Sequence, residues 1–458
     1  MSETRILGSH AIVIGSGIAG LCAAQVLSGY FERVTVIEKG DPRPSPTEPR
    51  KEVPQGYHLH ALLKGGEEAL ERLFPGITKV LIQEGSTWIN GTQDLKWFHH
   101  GVWKKRFKGR LSVLLQSRPF LEGHIRCRVE EDPRISICYR TQAVRPLYHS
   151  STSTITGIHV EELSSGLSKD LSADLVLDAS GYGSKFHPWF ISNGYHVPVE
   201  KVNIDLCYIS QIYQLPPVEE RDWSTLLVYP YAPVEKTGGT ISCIEGNRHI
   251  VTLFGYHSPL AHANLKEAGE FLEFTKQLPQ DTIYQELQGA IPLSEIRVHK
   301  VPHMTRYRWE KMSNPPQRFL FMGDSLCRFD PVFGQGMSAA AMQALQLKDC
   351  LQMEWEKRRS ITTHFTKRYY KKMSKLIDPI WDMILIEDFR YPHVSGRKPR
   401  GLRFLQWYIR RVFRLSSEDT DIYNSFIYVM NLLRPATTLF SPSILCKVLG
   451  KWKRDPNM

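Results

Sequence analysis

A short apolar strand running into three glycines spaced G-x-G-x-x-G leaves this chain the fewest options. Residues 10–14 read His-Ala-Ile-Val-Ile, a buried strand by its apolar run. Gly15, Gly17 and Gly20 follow, and the small residues from Leu21 to Ala24 continue as a helix. A second apolar run, 33–37, ends on Glu38. Strand, tight turn, helix and second strand in this order build a parallel α/β unit.

Each glycine has a mechanical reason to be there. Gly15 permits the tight turn, Gly17 lets backbone approach a pyrophosphate, and Gly20 lets the helix lie close on the sheet. The first helical turn, with Ile18 and Ala19, points free N–H groups and a partial positive charge at phosphates. Glu38 stands 18 residues after Gly20, with Lys39 beside it. That is close to the spacing of an acid that binds ribose hydroxyls. Such an acid selects a free 2′-hydroxyl, hence FAD or NAD rather than NADP. The plainer reading, a glycine-rich turn in an ordinary βα unit, is outweighed by the strand, helix and spaced acid together.

Two more strand ends carry similar chemistry. Residues 173–178 form a buried strand ending in Asp178, Ala179, Ser180 and Gly181. Ligands gather at the carboxyl ends of such sheets. Residues 318–322 lead into Gly323 and Asp324, then Pro331, then Gly334, Gln335 and Gly336, which open an alanine-rich helix at Met337. That helix start favours negative charge, such as the N1–C2 carbonyl region of a reduced flavin. Asp324 is placed to accept a ribityl or ribose hydroxyl. A capping Asp on an ordinary turn would not explain why two such strand ends accompany a G-x-G-x-x-G.

Composition narrows the classes. A chain of 458 residues buries a large core and has room for two or three subdomains. Its eight cysteines form no C-x-x-C, so no metal site is expected, and they fit reduced thiols in a cytoplasmic protein. The apolar run at 11–24 is broken by glycines and lacks a cleavage pattern, so it is not read as a signal peptide. No run of eighteen apolar residues is present to span a membrane. The net charge of +11 is concentrated partly in 96–110 and 397–454. Solvated faces and phosphate neutralisation account for most of it, and peripheral membrane contact would suit a lipophilic substrate. No nucleic-acid motif appears, so nucleic acid is not an expected partner.

Along the chain, the loop 41–49 is too proline-rich for regular structure. A helix is expected to run to about Leu73. His58 and His60 do not share a helix face, which argues against a metal pair and for a place at a cofactor or substrate entrance. Residues 95–115 read as a hairpin or loop. The segment 117–126 reads as a helix whose Arg118 can approach a phosphate or a flavin. Residues 135–139 and 155–161 suggest a small antiparallel insertion. From 200 to 305, strands rich in aromatic and β-branched residues indicate a separate antiparallel sheet with a helix near 264–277. Tyr208, Tyr229 and Phe254, with Tyr213 and Tyr256, are candidates to line an apolar chamber; core packing would use the same residue types. Helices are expected at 341–376, 378–388 and in pieces from 401 to 450. The expected division is a nucleotide-binding domain at 1–195 and 306–350, a substrate sheet at 196–305 and a helical region at 351–458.

The three motifs in this order resemble the FAD-dependent monooxygenases of the p-hydroxybenzoate hydroxylase fold. The stretches 54–60, 330–337 and 387–392 are most similar to the bacterial flavin epoxidases and hydroxylases of polyene polyketides or isoprenoids. The resemblance implies an α/β fold: a Rossmann-like FAD-binding domain of three-layer ββα type, an inserted antiparallel-sheet substrate domain and a helical C-terminal region. It implies FAD with its pyrophosphate at Gly15, Gly17, Ile18, Ala19 and Gly20 and its adenosine ribose at Glu38 and Lys39. Arg118 would reach the flavin or its phosphates. Gly323 and Asp324 would meet the ribityl–diphosphate part, and Pro331, Gly334, Gln335, Gly336 and Met337 the isoalloxazine ring.

The activity implied is that of a secondary-metabolism monooxygenase. NAD(P)H supplies electrons, directly or through a flavin reductase. O₂ forms a flavin hydroperoxide, whose oxygen epoxidises or hydroxylates an apolar alkene or aromatic natural product. No side-chain acid or base is demanded. The aromatic hydroxylases carry Asp-Gly where this chain has Ser180-Gly181, a departure that turns attention to a separate reductase. The W-x-W-x-I-P signature of flavin halogenases is absent. Two alternatives are an FAD-dependent reductase of isoprenoid double bonds and a non-catalytic, membrane-associated flavin-binding protein.

Overall fold

All three motif-bearing strands lie side by side in one parallel sheet. Its order is Phe319–Phe321, Leu175–Asp178, Gly8–Ile14, Phe31–Ile37, Ile135–Cys138, and every pairing is parallel. The register sets Ile14 opposite Asp178 and Asp178 opposite Phe321. The loops that follow these residues therefore leave the sheet at the same edge. The computed structural model describes residues 5–42, 47–50, 53–217, 221–258, 260, 265 and 267–450. The middle of the proline-rich loop, the start of the helix expected near 264 and the last eight residues lie outside these.

The central strand is apolar because it is covered on both faces: Ala11, Ile12 and Val13 are fully buried. Helices Ile18–Leu27, Arg118–Glu130 and Gly336–Arg358 pack together on one side. On the other, an antiparallel sheet of Thr141–His149, Thr154–Glu162 and Ser168–Ser172 adds Ile155, Ile158 and Val160 to the same core. This is the three-layer ββα arrangement that the resemblance implies.

The second large sheet runs in the order Cys327–Arg328, Arg297–Tyr307, Val199–Gln214, Arg248–Tyr256, Thr237–Ile244, Thr225–Val228, Leu95–His99, Val102–Trp103. Its pairings are antiparallel except one. Thr225–Val228 pairs in parallel with Leu95–His99, which brings the early hairpin into the later sheet. Helices Ala268–Phe274 and Thr282–Leu287 cover its apolar face through Phe271 and Ile283.

The C-terminal third is helical, with different breaks from those read in the sequence. Gly336–Arg358 ends where Arg359 adopts a left-handed φ of 54°, and the next helix, Phe365–Asp388, runs through Pro379. Proline removes one hydrogen bond from a helix. Here Pro379 and Lys375, whose carbonyl loses its donor, are both on the exposed face, open to solvent. Leu402–Leu415, Thr420–Met430 and Pro442–Gly450 share an apolar cluster with Trp97. Among the described residues, no helix is long and apolar enough to cross a membrane.

Candidate dinucleotide site and adjoining cavity

The turn after Gly8–Ile14 is shaped by glycine in two distinct ways. Gly15 takes a φ of 93°, and a Cβ at Gly20 would lie 1.8 Å from the Gly15 carbonyl oxygen. Those two positions are required by the chain itself. Gly17 is different: a Cβ there would meet nothing within 4 Å. Gly17 is also the N-cap of helix Ile18–Leu27 and offers no side-chain cap. The first N–H groups of that helix have no intrahelical acceptor, and the space before them suits a phosphate.

Glu38, at the end of the next strand, is held by its own chain. Its Oε2 accepts from Ser16 N at 3.0 Å and from Arg50 Nη1 at 2.9 Å, and also from the Ser16 hydroxyl. Its Oε1 accepts from Gly40 N at 2.8 Å, which leaves that oxygen one acceptor position for a ribose hydroxyl. Arg50 bridges on to Glu122 at 2.8 Å, and Arg126 donates to the Ser16 carbonyl at 2.6 Å. This buried network braces the turn from behind. Lys39 is exposed.

Burial alone would raise the Glu38 carboxyl, but Arg50, Ser16 and Gly40 prevail and hold it at about 2. A carboxyl lowered on folding stabilises the protein above its unfolded value, and that stability is lost as pH falls toward the folded one. Between pH 6 and pH 3 the loss is about 2 kcal/mol for this group. Urea denaturation at the two pH values is expected to show that loss in the parent and not in Glu38→Gln. Equal losses in both proteins would refute the assignment.

At the neighbouring strand end the Asp178 carboxylate is consumed locally. It accepts from Ser180 N at 2.8 Å and from the Ser184 hydroxyl at 2.5 Å, and so shapes the Gly181 turn. At the third, Gly323 has a φ of 67° and donates its N–H to Gln343 Oε1 at 2.9 Å. Burial pushes the Asp324 carboxyl upward, opposed by the Arg118 and Arg328 guanidiniums.

The helix Gly336–Arg358 begins with free N–H groups and open space at Gly336. Gln335 turns away from this space: its side chain is buried and donates to the Met430 carbonyl at 3.2 Å. It thereby ties the loop to the C-terminal helices. Asp330 anchors the other end of the loop, accepting from Val332 N and from Tyr256 Oη, each at 2.8 Å. Burial pushes the Asp330 carboxyl up, opposed by the Val332 N–H and the Tyr256 hydroxyl, and burial, then Asp330, pushes the neighbouring Asp388 carboxyl up.

Pro331, Val332, Phe333 and Gly334 face a cavity of about 200 Å³. Tyr208, Tyr229 and Phe254 from the large sheet line it as well, and Tyr229 Oη donates to the Val332 carbonyl at 3.0 Å. Tyr213 packs instead beside Phe271, and Tyr256 serves Asp330. His60 lines the cavity. Burial, then Arg118, pushes its imidazole down to about 3, so it is neutral. Its Nδ1–H donates to the His58 carbonyl at 2.9 Å, and its Nε2 accepts from Arg118 at 3.2 Å. Arg118 is thus set at the junction of cavity and cradle. Gln116, which belongs to none of the motifs, lines the cavity with both amide atoms buried and, among the described residues, unpartnered. Such a group awaits a polar ligand. The open glycines, bare helix starts and orphan amide together fit a flavin dinucleotide lying from Glu38 to Pro331.

Comparison with known proteins agrees with this geometry. Residues 13–74 match the family model of the NAD(P)-binding Rossmann-like domain. The chain is 27% identical over 438 residues to Protein Rv3254 of Mycobacterium tuberculosis (strain ATCC 25618 / H37Rv), covering 89% of this chain and 90% of that one. It is 24% identical over 249 residues to squalene monooxygenase of Mus musculus, covering 51% of this chain and 38% of that enzyme. The solved structure of the flavin-dependent brominase Bmp2 superposes with a TM-score of 0.66 at 13% identity, over 98% of this chain and 99% of that one. The likeness to Bmp2 extends the shared fold from the Rossmann-like segment to nearly the whole chain.

Proposed function

We propose that this chain is an FAD-dependent monooxygenase acting on a lipophilic small molecule held in the cavity beside Pro331–Gly334. The observation that carries the reading is the alignment of Ile14, Asp178 and Phe321 at one sheet edge, with a bare helix start and an apolar cavity at its far end. Bound and reduced FAD supplies the activation of O₂ and the transfer of one oxygen atom to substrate. The likeness to squalene monooxygenase supports a monooxygenase with an apolar substrate.

The chain's own residues bind, orient and exclude water. The N–H groups after Gly17 hold the pyrophosphate, Glu38 the adenosine ribose, and Asp324 the ribityl hydroxyls. The N–H groups at Gly336 and Met337 face negative charge on the isoalloxazine ring. Tyr229 fixes the Pro331–Gly334 loop through Val332, and the apolar walls keep the reacting end dry. With Asp178 occupied by Ser180 and Ser184, no carboxylate at that strand end is free to order a nicotinamide. This favours NAD(P)H acting through a separate flavin reductase. The domain division at 195, 305 and 350 remains part of this reading. So does peripheral membrane contact: Phe404 is 59% exposed on the basic helix Leu402–Leu415, and sedimentation with anionic vesicles checks it.

The purified protein is expected to be yellow and to release FAD on denaturation. With a flavin reductase, NADH and ¹⁸O₂, it is expected to place one labelled oxygen in an isoprenoid or polyene alkene. Saturated, unlabelled product would favour the double-bond reductase instead. Brominated product in bromide buffer would favour the activity of Bmp2. A colourless protein that takes up no FAD would refute both the cofactor and the reaction.

A further inference from the structure

One end of the cavity is not apolar. His99 and Glu387 line it there. The His99 side chain is nine-tenths buried, and its Nδ1 has no hydrogen-bond partner among the described residues. Its ring stacks on Trp97 at 4.7 Å and meets the edge of Tyr229 at 5.7 Å. Beside it, Arg390 grips both oxygens of Glu387 at 2.8 Å, and His100 Nε2 lies 3.0 Å from the same carboxylate. Lys104 is 4% exposed, and its ammonium donates to the Phe413 carbonyl. Lys104 and His99 pack on the same Phe413 ring, at 5.6 Å and 4.7 Å.

Glu387 is matched by Arg390, and among the described residues no carboxylate lies within ion-pair distance of the buried Lys104 amine, whose hydrogen bond goes to a carbonyl. A buried unpaired charge is costly, and a chain with only a core to fill would carry Met or Leu at 104. Burial drives the Lys104 ammonium down to about 7, with Glu387 opposing only in part. Burial, then His100, Lys104 and Arg390, hold His99 neutral, so its imidazole keeps one N–H to donate. An amine with no carboxylate partner and one idle donor beside an apolar chamber are complementary to an anionic oxygen.

We propose that the cavity selects an amphipathic acid: an apolar body that fills the chamber and a carboxylate that His99 hydrogen-bonds in the field of Lys104. Ligand atoms of His99, His100 and Glu387 lie within 4.8 Å of one another, which would also admit a metal ion. Arg390 argues against one, since it already occupies both Glu387 oxygens. The position of attack follows. Tyr229 touches His99 with its ring and Val332 with its hydroxyl, so about one tyrosine side chain separates the acid end from the reactive loop. The oxidised carbon is then near the carboxylate rather than at the far tail.

This deepens the monooxygenase reading and rests on the cavity being its substrate chamber. Binding is measured directly, by calorimetric titration of the holoprotein with decanoate, methyl decanoate and decan-1-ol, and with geranate against geraniol. Each acid is expected to bind at least about tenfold more tightly than its neutral counterparts, the effect of one added charge pair. His99→Phe and Lys104→Met are each expected to cut that preference to about twofold or less while bound FAD stays at the parental level. An acid that binds no better than its alcohol in the parent protein overturns the proposal, as does a preference that survives both variants. One tightly bound divalent metal per chain, lost in His99→Phe, overturns it in favour of a cation site. Bound FAD without acid preference refutes only the acid. Acid preference without FAD refutes only the monooxygenase.

Discussion

A Gly17→Leu variant is expected to fold like the parent, to purify colourless and to bind FAD at least about a thousandfold more weakly, a loss of roughly 4 kcal/mol. The chain has no use of its own for the missing side chain, since a Cβ at Gly17 meets nothing within 4 Å. The same space is where a pyrophosphate must approach the backbone. Leucine would fill it and cover the N–H groups of the first helical turn. Gly20→Ala provides the contrast. Its Cβ would collide at 1.8 Å with the Gly15 carbonyl oxygen, a rigid backbone atom, so the turn itself would have to move. Gly20→Ala is expected to lose both FAD and thermal stability, Gly17→Leu only FAD. Visible absorbance and circular dichroism melting distinguish the two. A yellow Gly17→Leu protein would place the pyrophosphate elsewhere.

Glu387→Ala is the change expected to cost the most stability, about 3–5 kcal/mol, because it removes one side of a buried charge pair. Arg390 loses both of its carboxylate bonds and His100 loses its partner. Arg390 is then a buried guanidinium with no carboxylate in ion-pair contact among the described residues. Burial would raise the Glu387 carboxyl, yet Arg390 and His100 hold it at about 2, a measure of how strongly they favour the charged form. Glu387→Gln preserves shape and one acceptor and is expected to lose less. Urea midpoints give the comparison, and a loss below about 1 kcal/mol for Glu387→Ala would show that the pair is screened like a surface one.

The cradle was legible because its signals are local. A buried strand is an apolar run and a tight turn needs glycine, so the strand ends at Ile14, Asp178 and Phe321 could be read singly. Their adjacency follows from parallel topology. The network around Glu38 was not legible: Arg50 lies beyond a proline-rich loop, and Glu122 and Arg126 sit on a helix more than seventy residues after Arg50. The pairing of Leu95–His99 with Thr225–Val228 is equally non-local, so the hairpin was visible and its sheet was not. Gln335 illustrates a limit of motif reading. Its place in Gly-Gln-Gly sets it beside the bare helix start, yet the side chain points to Met430. Gln116 and His99 carry no periodic signal, and only a cavity wall makes them conspicuous.

The cavity is walled by residues from Leu59 to Leu63 at one end of the sequence and from Met383 to Asn431 at the other. That gives the site a history as well as a shape. On the ribosome, Asn431 is made nearly a hundred residues after Gly334. At about 5–20 residues per second this is a delay of roughly 5–20 s. During that interval the nascent chain holds all three strand ends of the nucleotide cradle beside a chamber that still lacks a wall. Cofactor loading can precede enclosure, and oxygen chemistry has to wait for the last helices to shut out water.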